Sequence, residues 1–419
     1  KNLQYALGVA AEGSKSCETI EIWVAAGTYR PSETGDRTAS FVLANNVHLL
    51  GGFKGNETKA SLAQPETHHT YLSGDLSGND DTDKWPDALS ENSYTLVTAQ
   101  GLGPSSAISG FTIQSAQNDS GTQLGGGMYL QSSSIQVSHV EFFQNTVVCT
   151  ADECGGGGVY IDGGSPAFTD VNVYDNSVRT SGEHSGGGGV YIKNSSASFR
   201  DVELDGNTVK NLSGSSLYRG GGGAYVHCNG QQKTGICSPA FYNVLISNNE
   251  SGNHGNAFSG GAGVLTTFAS FYMVNVEFYG NIAIGQSRGG GLYQLFETNS
   301  MPRIVNATFL ENEAQSGGES AYCFNTKNKL SITNTIFLND IPEGSFGTIT
   351  YSCSTDKLLT GQTNGVCGFL ALDNDYYAPA GSFAHDNGDS NANNEAKDIL
   401  GNARKVGVID MGAYERPIK

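Results

Sequence analysis

The sequence predicts an all-β fold, a right-handed parallel β-helix with an N-terminal capping helix, on three observations. A run of glycines followed by an apolar–Tyr–apolar triplet recurs through the middle of the chain. A second motif, an apolar residue followed by two variable residues and Asn, comes after each copy of the first. Glycine contributes 57 of the 419 residues and proline only 10, which suits many tight turns and excludes a collagen-like chain.

The first forty residues are expected to form an N-terminal cap. Residues 2–12 have the pattern of one amphipathic helix, and a strand at 20–24 and a turn at Gly27 follow. A helix at this place would cover the first coil, whose strand edges would otherwise be unpaired. We therefore divide the chain into a cap with the first strands (1–40), the β-helix coils (41–380) and a C-terminal cap or tail (381–419).

The period of the repeat is read most clearly from the asparagines that end the second motif. They are separated by 31, 31, 42, 32, 31 and 27 residues. A coil of about 31 residues has room for three short strands and three turns, and stacked coils pair each strand with its copies at about 4.8 Å. The expected ladder of buried side-chain amides consists of Asn145, Asn176, Asn207, Asn249, Asn281, Asn312 and Asn339.

The segments between these asparagines are read as strands. Short stretches of alternating Val, Ile and Phe indicate strands, and no apolar pattern with the 3.6-residue helical period occurs in the repeat region. Phe168-x-Asp170-Val171 recurs as Phe199-x-Asp201-Val202, and Asp or Asn between two strands suits a tight bend. The right hand of the helix follows from the crossover rule together with the family resemblance described below.

Insertions lie mostly just before the glycine runs, at 146–154, 177–185, 208–219 and 250–259. Because equivalent positions of stacked coils lie above one another, these insertions are expected to line one edge of the column.

Eight cysteines fit a set of disulfides and an oxidising compartment. Two pairs each bracket a short polar loop and are expected to be bonded, namely Cys149 with Cys154 and Cys228 with Cys237. Cys353 has two candidate mates, Cys367 and Cys323, and Cys17 has no obvious one. No Cys-x2-Cys pair is present, which disfavours a structural zinc site.

A column of tyrosines is the first candidate binding surface. In each apolar–Tyr–apolar triplet the flanking residues are expected to face inward and the tyrosine outward. The column contains Tyr129, Tyr160, Tyr191, Tyr225 and Tyr293. Exposed rings at this spacing would stack on sugars or on a partner, whereas a ladder that only stabilises its own sheet is the interpretation we favour.

Two acidic loops are candidate calcium sites. Asp389-x-Asn391-x-Asn393-x-Glu395 alternates oxygen-bearing side chains, as calcium loops do, but lacks the glycine of an EF-hand. The run 79–83, which is rich in Asp, follows Asp75. Solvated acidic turns are the competing explanation, and Ca²⁺ is the only cofactor expected.

Net charge excludes several classes of function and weakens one enzymatic class. A formal charge of −18 disfavours binding to nucleic acid or to an anionic membrane, and no apolar run is long enough to insert into one. A uronate lyase needs basic groups, yet Lys and Arg are absent from 85–178. The basic candidates lie just before glycine runs or in equivalent loops: Arg219, Arg288, His184 and His254.

A glycoside hydrolase needs two carboxylates across a cleft. Repetition places acidic side chains in columns, which are also explained by the repeat itself: Asp170 and Asp201 in one, and Glu141, Glu203 and Glu277 in another.

Three features of the sequence resemble those of known families. The paired glycine and Phe-x-x-Asn repeats are similar to those of chlamydial polymorphic outer-membrane proteins, whose passenger regions are adhesive β-helices. The segments 25–31 (AAGTYRP) and 51–58 (GGFKGNET) resemble secreted bacterial parallel β-helix repeat proteins of the surface-anchored type. The segments 398–404 and 409–415 (IDMGAYE) resemble the closing segment of cell-surface β-helix proteins. The resemblance implies the β-helix fold and a secreted or surface location, and it implies no particular activity.

We therefore expect an extracellular, non-catalytic protein that serves in surface adhesion, carbohydrate contact or structural assembly. Its expected partner is a polysaccharide or a cell surface. One alternative is a polysaccharide-active enzyme, a lyase or a glycoside hydrolase, that uses a groove lined by insertions. The other is a filament or shell subunit that forms homo-oligomers or stacks end to end.

Overall fold

The chain winds into a column whose strands pair in parallel from coil to coil, as the repeat predicts. The computed structural model describes residues 2–417 except 17–18, 81–89, 121–123, 213–217, 230–236, 253–257, 296–300, 325–328, 339–341, 356–358, 360–363, 369–370, 375 and 406. Three parallel sheets run along the column, and the predicted parallel β-helix is confirmed. No helix in this described part is long and apolar enough to cross a membrane.

Strands are numbered in chain order. The largest sheet, called the long sheet, contains sixteen of them, and those of the central coils have eight residues. Its strands are β1 (Ile20–Ala25), β2 (Gly27–Tyr29), β4 (Val47–Phe53), β5 (Thr70–Ser73), β7 (Ala107–Gln114), β10 (Gln136–Phe143), β13 (Ala167–Tyr174), β17 (Ser198–Asp205), β21 (Ala240–Ser247), β24 (Tyr272–Tyr279), β27 (Arg303–Leu310), β30 (Ser331–Thr333), β31 (Ile336–Leu338), β33 (Ile349–Thr350), β34 (Cys353–Ser354) and β35 (Gly365–Val366).

The tyrosine sheet contains the apolar–Tyr–apolar triplets. Its strands are β3 (Phe41–Val42), β6 (Val97–Gln100), β9 (Met128–Gln131), β12 (Val159–Asp162), β16 (Val190–Lys193), β20 (Ala224–His227), β23 (Val264–Thr267), β26 (Leu292–Leu295), β29 (Ala321–Phe324) and β32 (Glu343–Gly344).

A third sheet, the short sheet, follows the asparagine motif. Its strands are β8 (Gln117–Asn118), β11 (Thr146–Cys149), β14 (Ser177–Thr180), β18 (Thr208–Asn211), β22 (Glu250–Ser251), β25 (Ile282–Ala283) and β28 (Glu313–Ala314). A small pair, β15 (Ser185–Gly186) and β19 (Arg219–Gly220), lies outside these three sheets.

A bend inside the eight-residue strands of the long sheet explains the Phe-x-Asp-Val pattern. Asp170 and Asp201 have φ of 55°, the left-handed conformation that Asp and Asn tolerate best. The bend interrupts the in–out alternation, so that Phe168 and Val171 both face the core. The stacked core rings follow from this register, because Phe168 and Phe199 have centroids 4.9 Å apart.

The asparagine file forms a continuous hydrogen-bonded ladder inside the column. Each Nδ2 also donates to a backbone carbonyl, as Asn176 does to Phe142 at 2.8 Å. Nδ2 of one residue lies 2.8 to 3.1 Å from Oδ1 of the next along Asn145, Asn176, Asn207, Asn249, Asn281 and Asn312. The predicted ladder is present over these six coils, and Asn339 lies outside the described residues.

Glycine runs let neighbouring coils approach more closely than a Cβ would allow. A Cβ on Gly188 would lie 2.6 Å from the carbonyl oxygens of Gly222 and Thr208. Gly187, beside it, has a φ of 61°, which L side chains rarely adopt. The glycine run is therefore required for two reasons: a side chain would clash with the neighbouring coil, and the turn needs a left-handed backbone conformation.

A single helix, α1 (Leu3–Gly13), covers the N-terminal end, close to the predicted span 2–12. Asn2 caps it by accepting a hydrogen bond from the Tyr5 N–H at 3.1 Å. Leu3, Leu7 and Ala10 lie on one helical face and are buried. Two 3-10 turns, Ser14–Ser16 and Ala60–Leu62, are the other short helical pieces of the described chain.

The described residues contain three disulfides. The two expected local pairs are confirmed, and Cys353 takes the first of its two candidate mates: Cys149–Cys154, Cys228–Cys237 and Cys353–Cys367. The Cys323 thiol lies 3.3 Å from Oε1 of Gln294 in the core. Cys17 lies outside the described residues.

After the last strand, the chain turns back and packs along the outer face of the long sheet. Asn275 donates to the Lys397 carbonyl at 2.8 Å, and Asn306 donates to the Asp410 carbonyl at 2.9 Å. The Tyr414 hydroxyl donates to the Glu277 carboxylate. This segment, residues 384–416, is called the tail, and it becomes a wall of the groove described below.

Candidate functional site

The tyrosine column is aligned as expected but is not an exposed surface. Tyr129, Tyr160, Tyr191 and Tyr225 pair in register across neighbouring strands, and Tyr293 continues the file after Leu265. All except Tyr129 are at most 1% exposed. The rings face away from the main core as expected, but the alternative of an accessible strip is wrong for Tyr160, Tyr191, Tyr225 and Tyr293, which are covered. The favoured interpretation, a ladder within its own sheet, agrees with the stacking of Tyr160 on Tyr191 at 4.7 Å.

The covering segments, residues 150–154 and 181–184, are called the roof loops. The Tyr160 hydroxyl donates to the Glu153 carbonyl at 2.9 Å, and the Tyr191 hydroxyl donates to the His184 carbonyl at 2.7 Å. The tyrosines thus act as buried anchors for the loops above them, and their hydroxyls are satisfied in the low-dielectric interior.

Of the basic residues suspected of lining an open edge, His184 belongs to a roof loop and Arg219 packs against that loop, whereas Arg288 lies on Tyr322. Arg219 is fully buried, and its Nε donates to the Gly182 carbonyl at 2.7 Å while Nη1 donates to Oδ1 of Asn211 at 2.5 Å. Arg288 donates to the Tyr322 hydroxyl at 2.9 Å and stacks over its ring. His254 lies outside the described residues.

A small electrostatic network supports the roof loops. The Lys193 ammonium lies 2.7 Å from the Glu153 carboxylate, and the His227 ring lies 3.7 Å from it. The neighbouring His227 ring and the Lys193 ammonium lower the pKa of Glu153 to about 2. Burial, followed by the neighbouring His227, lowers the pKa of His184 to about 4.

The alternating acidic run of the tail does not assemble as the expected calcium loop. Asn393 is fully buried, and its amide donates to Asn275 at 2.8 Å and to Asn306 at 3.0 Å. Glu395 binds the guanidinium of Arg200 at 2.7 Å.

The other two members of that run make local contacts. Asp389 accepts from the backbone of Asn391, a hydrogen bond that holds a turn. The prediction of a calcium site at Asp389, Asn391, Asn393 and Glu395 is corrected, because Asn393 and Glu395 attach the tail to the long sheet while Asp389 holds a local turn with Asn391.

An accessible concave surface lies on the outer face of the long sheet. Its floor is a straight file of outward side chains, one from each of six neighbouring strands: Thr112, Glu141, Asn172, Glu203, Leu245 and Glu277. At about 4.8 Å per strand the file is about 24 Å long. We call this surface the acid groove.

Two cavities of about 230 and 280 Å³ form the groove and share Asn172 as a lining residue. The first is bounded by Pro65, Glu66 and His69, from the segment between β4 and β5. The second is bounded by Ile399, Leu400 and Tyr414 of the tail.

A second file of polar side chains runs beside the first, at the bends of the strands. His139 lies 3.2 Å from the Asp170 carboxylate, and Asn243 donates to Asp201 at 3.0 Å. Both acidic residues are exposed in the groove. The described lining of both cavities contains no Lys or Arg, so the floor is strongly acidic.

The carboxylates of the central file differ in environment. Glu141 accepts hydrogen bonds from the Thr112 hydroxyl at 2.9 Å and from the Tyr174 hydroxyl at 3.4 Å. Burial and the nearby Asp205 raise the pKa of Glu203. Burial under the tail raises the pKa of Glu277.

One flank of the groove is aromatic. The rings of Phe143 and Tyr174 are stacked with centroids 4.7 Å apart, and both are half-buried. Because the Tyr174 hydroxyl reaches Glu141, this ring surface borders the floor directly. Burial, with Glu141 next in effect, raises the pKa of Tyr174 and keeps it protonated.

No protein-family model matches the sequence, and no curated protein matches it. Among solved structures, the crystal structure of the pectate lyase Pel9A is similar to this chain, with a TM-score of 0.53 and 12% sequence identity. The match covers 97% of this chain and 90% of that one. At this identity the likeness supports the fold, a parallel β-helix.

The sequence predicts the acidic columns that border the floor, but it does not predict the groove. Glu141, Glu203, Glu277, Asp170 and Asp201 were recognised as columns, and strand parity could have shown that they face outward. No sequence pattern indicates the walls of the groove, because Pro65–His69 and the tail reach the sheet only through tertiary packing.

Proposed function

We propose that this protein is an extracellular polysaccharide-binding β-helix that holds an uncharged, extended glycan in the acid groove. The observation that carries the proposal is the straight file of outward side chains from Glu141 to Leu245, open between two walls, whereas Thr112 and Glu277 at the two ends of the full file are buried. At about 4.8 Å per strand this open floor is about 14 Å long, and its linear shape suits an extended chain of sugar units better than a compact small molecule.

The chemistry of the groove favours hydroxyl-rich, uncharged ligands. Carboxylates accept hydrogen bonds from sugar hydroxyls, and the Asn172 amide both donates and accepts. The half-buried rings of Phe143 and Tyr174 offer an apolar surface for the faces of sugar rings. A polyuronate would meet Glu141, Glu203 and Asp170 with no Lys or Arg in the described lining, at an electrostatic cost.

The structural neighbour supports the general class of ligand. Pel9A is described as a pectate lyase, so a fold of this shape is used by a protein that acts on a polysaccharide. The absence of Lys and Arg from the described lining argues against the same substrate here.

Binding is tested by titrating the full chain with soluble neutral glucans, xylans and mannans, and with polygalacturonate as the anionic comparison. We expect a neutral polymer to bind, and Asn172→Ala and Tyr174→Ala each to weaken it about tenfold. Asn391→Ala and Tyr5→Ala are matched controls, because both residues are exposed away from the groove. Preference for polygalacturonate, or unchanged affinity in both groove variants, would contradict the proposal.

Hydrolysis is the second candidate function, and one observation favours it. Glu141 and Glu203 are separated by a single strand, so their Cα atoms lie about 9.6 Å apart with Asn172 between them. Inverting glycoside hydrolases hold their two carboxyl groups about 6.5–9.5 Å apart, with a raised pKa on the acid. The raised pKa of Glu203 suits that role.

The hydrolytic candidate is tested by measuring new reducing ends in the polymer that binds. Glu141→Gln and Glu203→Gln should each abolish cleavage while the affinity stays within a few-fold, since Gln keeps the shape and much of the hydrogen bonding. Absence of product with the wild-type chain leaves binding alone as the function.

Secretion, adhesion and assembly complete the proposal. Three disulfides support an oxidising compartment, as does the sequence resemblance to secreted bacterial surface β-helices and to chlamydial polymorphic outer-membrane proteins. Glycan binding by a surface protein would serve adhesion. A role as a filament or shell subunit is the remaining alternative, and sedimentation of the purified chain distinguishes it by the formation of large assemblies.

A further inference from the structure

A cluster of acidic side chains lies at the turn after β5, in the first coils. Asp75, Asp80 and Glu91 each offer a carboxylate oxygen, and these oxygens lie within 4.8 Å of one another. Asp75 is almost fully buried, and the other two are half-buried. The cluster is separate from the acid groove, whose described lining contains none of the three.

A second observation distinguishes this cluster from an ordinary acidic turn. Asn92 is fully buried, and its Nδ2 donates to Oδ2 of Asp80 at 2.8 Å, so its amide group is directed at the cluster. Three buried oxygens here accept no hydrogen bond: Oδ1 of Asp80, Oε1 of Glu91 and Oδ1 of Asn92. Buried oxygens without a donor are costly unless a cation or water satisfies them.

Among the described residues, the nearby donors reach Asp75 or backbone carbonyls and not these three oxygens. The N–H groups of Gly78 and Asn79 donate to the Asp75 carboxylate, at 2.6 and 3.2 Å. The Arg30 guanidinium donates to the Asp75 carbonyl at 2.5 Å. Arg37 donates to the Asn92 carbonyl at 2.6 Å, and its charge is paired with Asp119. Within the described part of the chain, neither arginine therefore contacts the acceptor oxygens of Asp80 or Glu91.

We propose that Asp75, Asp80 and Glu91 bind a divalent cation, Ca²⁺, with Oδ1 of Asn92 as a further oxygen ligand. The donor set is oxygen only, which suits Ca²⁺ and disfavours zinc. Ca²⁺ also accepts six to eight ligands in irregular geometry. Ligands from two separate chain segments form such an irregular arrangement. The ion joins residues 75–80 to residues 91–92 and so stabilises the N-terminal coils.

The test is a calcium titration of the full chain after treatment with EDTA, followed by calorimetry and by thermal unfolding. We expect one Ca²⁺ per chain and a higher melting temperature with Ca²⁺. Asp80→Asn and Glu91→Gln should each weaken binding at least about tenfold and remove the rise in melting temperature. Asp389→Asn, in the other acidic run, is the matched control and should behave as the wild type.

Misfolding is distinguished by melting temperatures in EDTA. Without the ion, Asp80→Asn removes one of three mutually repelling charges, so its melting temperature should equal or exceed that of the wild type. Absence of Ca²⁺ binding by the wild type, or binding that both variants retain, overturns the proposal. The result is independent of glycan binding in the acid groove.

Discussion

Replacing one asparagine of the buried ladder tests the structural basis of the column. Asn176 is fully buried and accepts hydrogen bonds from the N–H and from Nδ2 of Asn145, both at 3.0 Å. It donates to the Phe142 carbonyl at 2.8 Å and to Oδ1 of Asn207 at 3.0 Å. At a net contribution of about 1 kcal/mol each, Asn176→Ala should lower the free energy of unfolding by about 4 kcal/mol. Urea unfolding followed by circular dichroism measures this.

Two further variants make the experiment specific. Asn172→Ala, on the exposed face of the same coil, should change the free energy of unfolding by less than about 0.5 kcal/mol. Asn176→Asp keeps the acceptor oxygens but replaces the donors with a buried negative charge, which raises the folded-state pKa of the new carboxyl. Its stability relative to the wild type should therefore recover as the pH falls through that pKa. A loss below about 1 kcal/mol in Asn176→Ala, or an equal loss in Asn172→Ala, would refute the ladder as a stabilising element.

Three other predictions concern the roof loops, the glycine runs and the helix. The pKa of His184 is lowered from 6.5 to about 4, so unfolding takes up a proton between those pH values and the wild type loses stability as the pH falls from 6.5 to 4. The melting temperature of His184→Gln should therefore fall less than that of the wild type between pH 7 and pH 4.5. Equal falls in the two proteins would contradict this. Gly188→Ala places a Cβ 2.6 Å from the Gly222 carbonyl oxygen and should cost about 1–3 kcal/mol in urea unfolding, whereas Gly8→Ala, with open space in α1, should gain up to about 1 kcal/mol. Arg219→Met removes the buried donors that hold the roof loops, so limited proteolysis should cut those loops faster while the coils stay intact, and an unchanged cleavage pattern would argue against this role.

Much of the column could be predicted because repetition converts local sequence into long-range contacts. Once the spacing of Asn145, Asn176 and Asn207 defined a coil, stacking followed, since each strand has its own copy as the nearest partner. The local disulfides could also be predicted, because paired cysteines such as Cys149 and Cys154 are close along the chain. The tyrosines illustrate the limit: their alignment follows from the repeat, whereas the choice between an exposed strip and a covered ladder needed the structure.

The candidate site could be predicted only in part, for a related reason. Glu141 and Glu203 belong to the repeat, so their alignment was visible in the sequence. Leu400 and Tyr414 lie outside the repeat, and no local pattern indicates that the tail returns to cover the long sheet. The same holds for Glu395, whose spacing suggested a calcium ligand but whose carboxylate pairs with Arg200, far away in the sequence.

By itself, the sequence determined the coil, its parallel sheets, its amide ladder and its acidic outer files, because each of these depends on residues one period apart. Only the tertiary structure decided which outward surfaces remain open. Insertions cover the tyrosine column, and the tail and the Pro65–His69 segment leave the acid groove open between them. The physical reason is that the burial of an outward side chain depends on loops that carry no period, and their packing is decided only when the whole chain has folded.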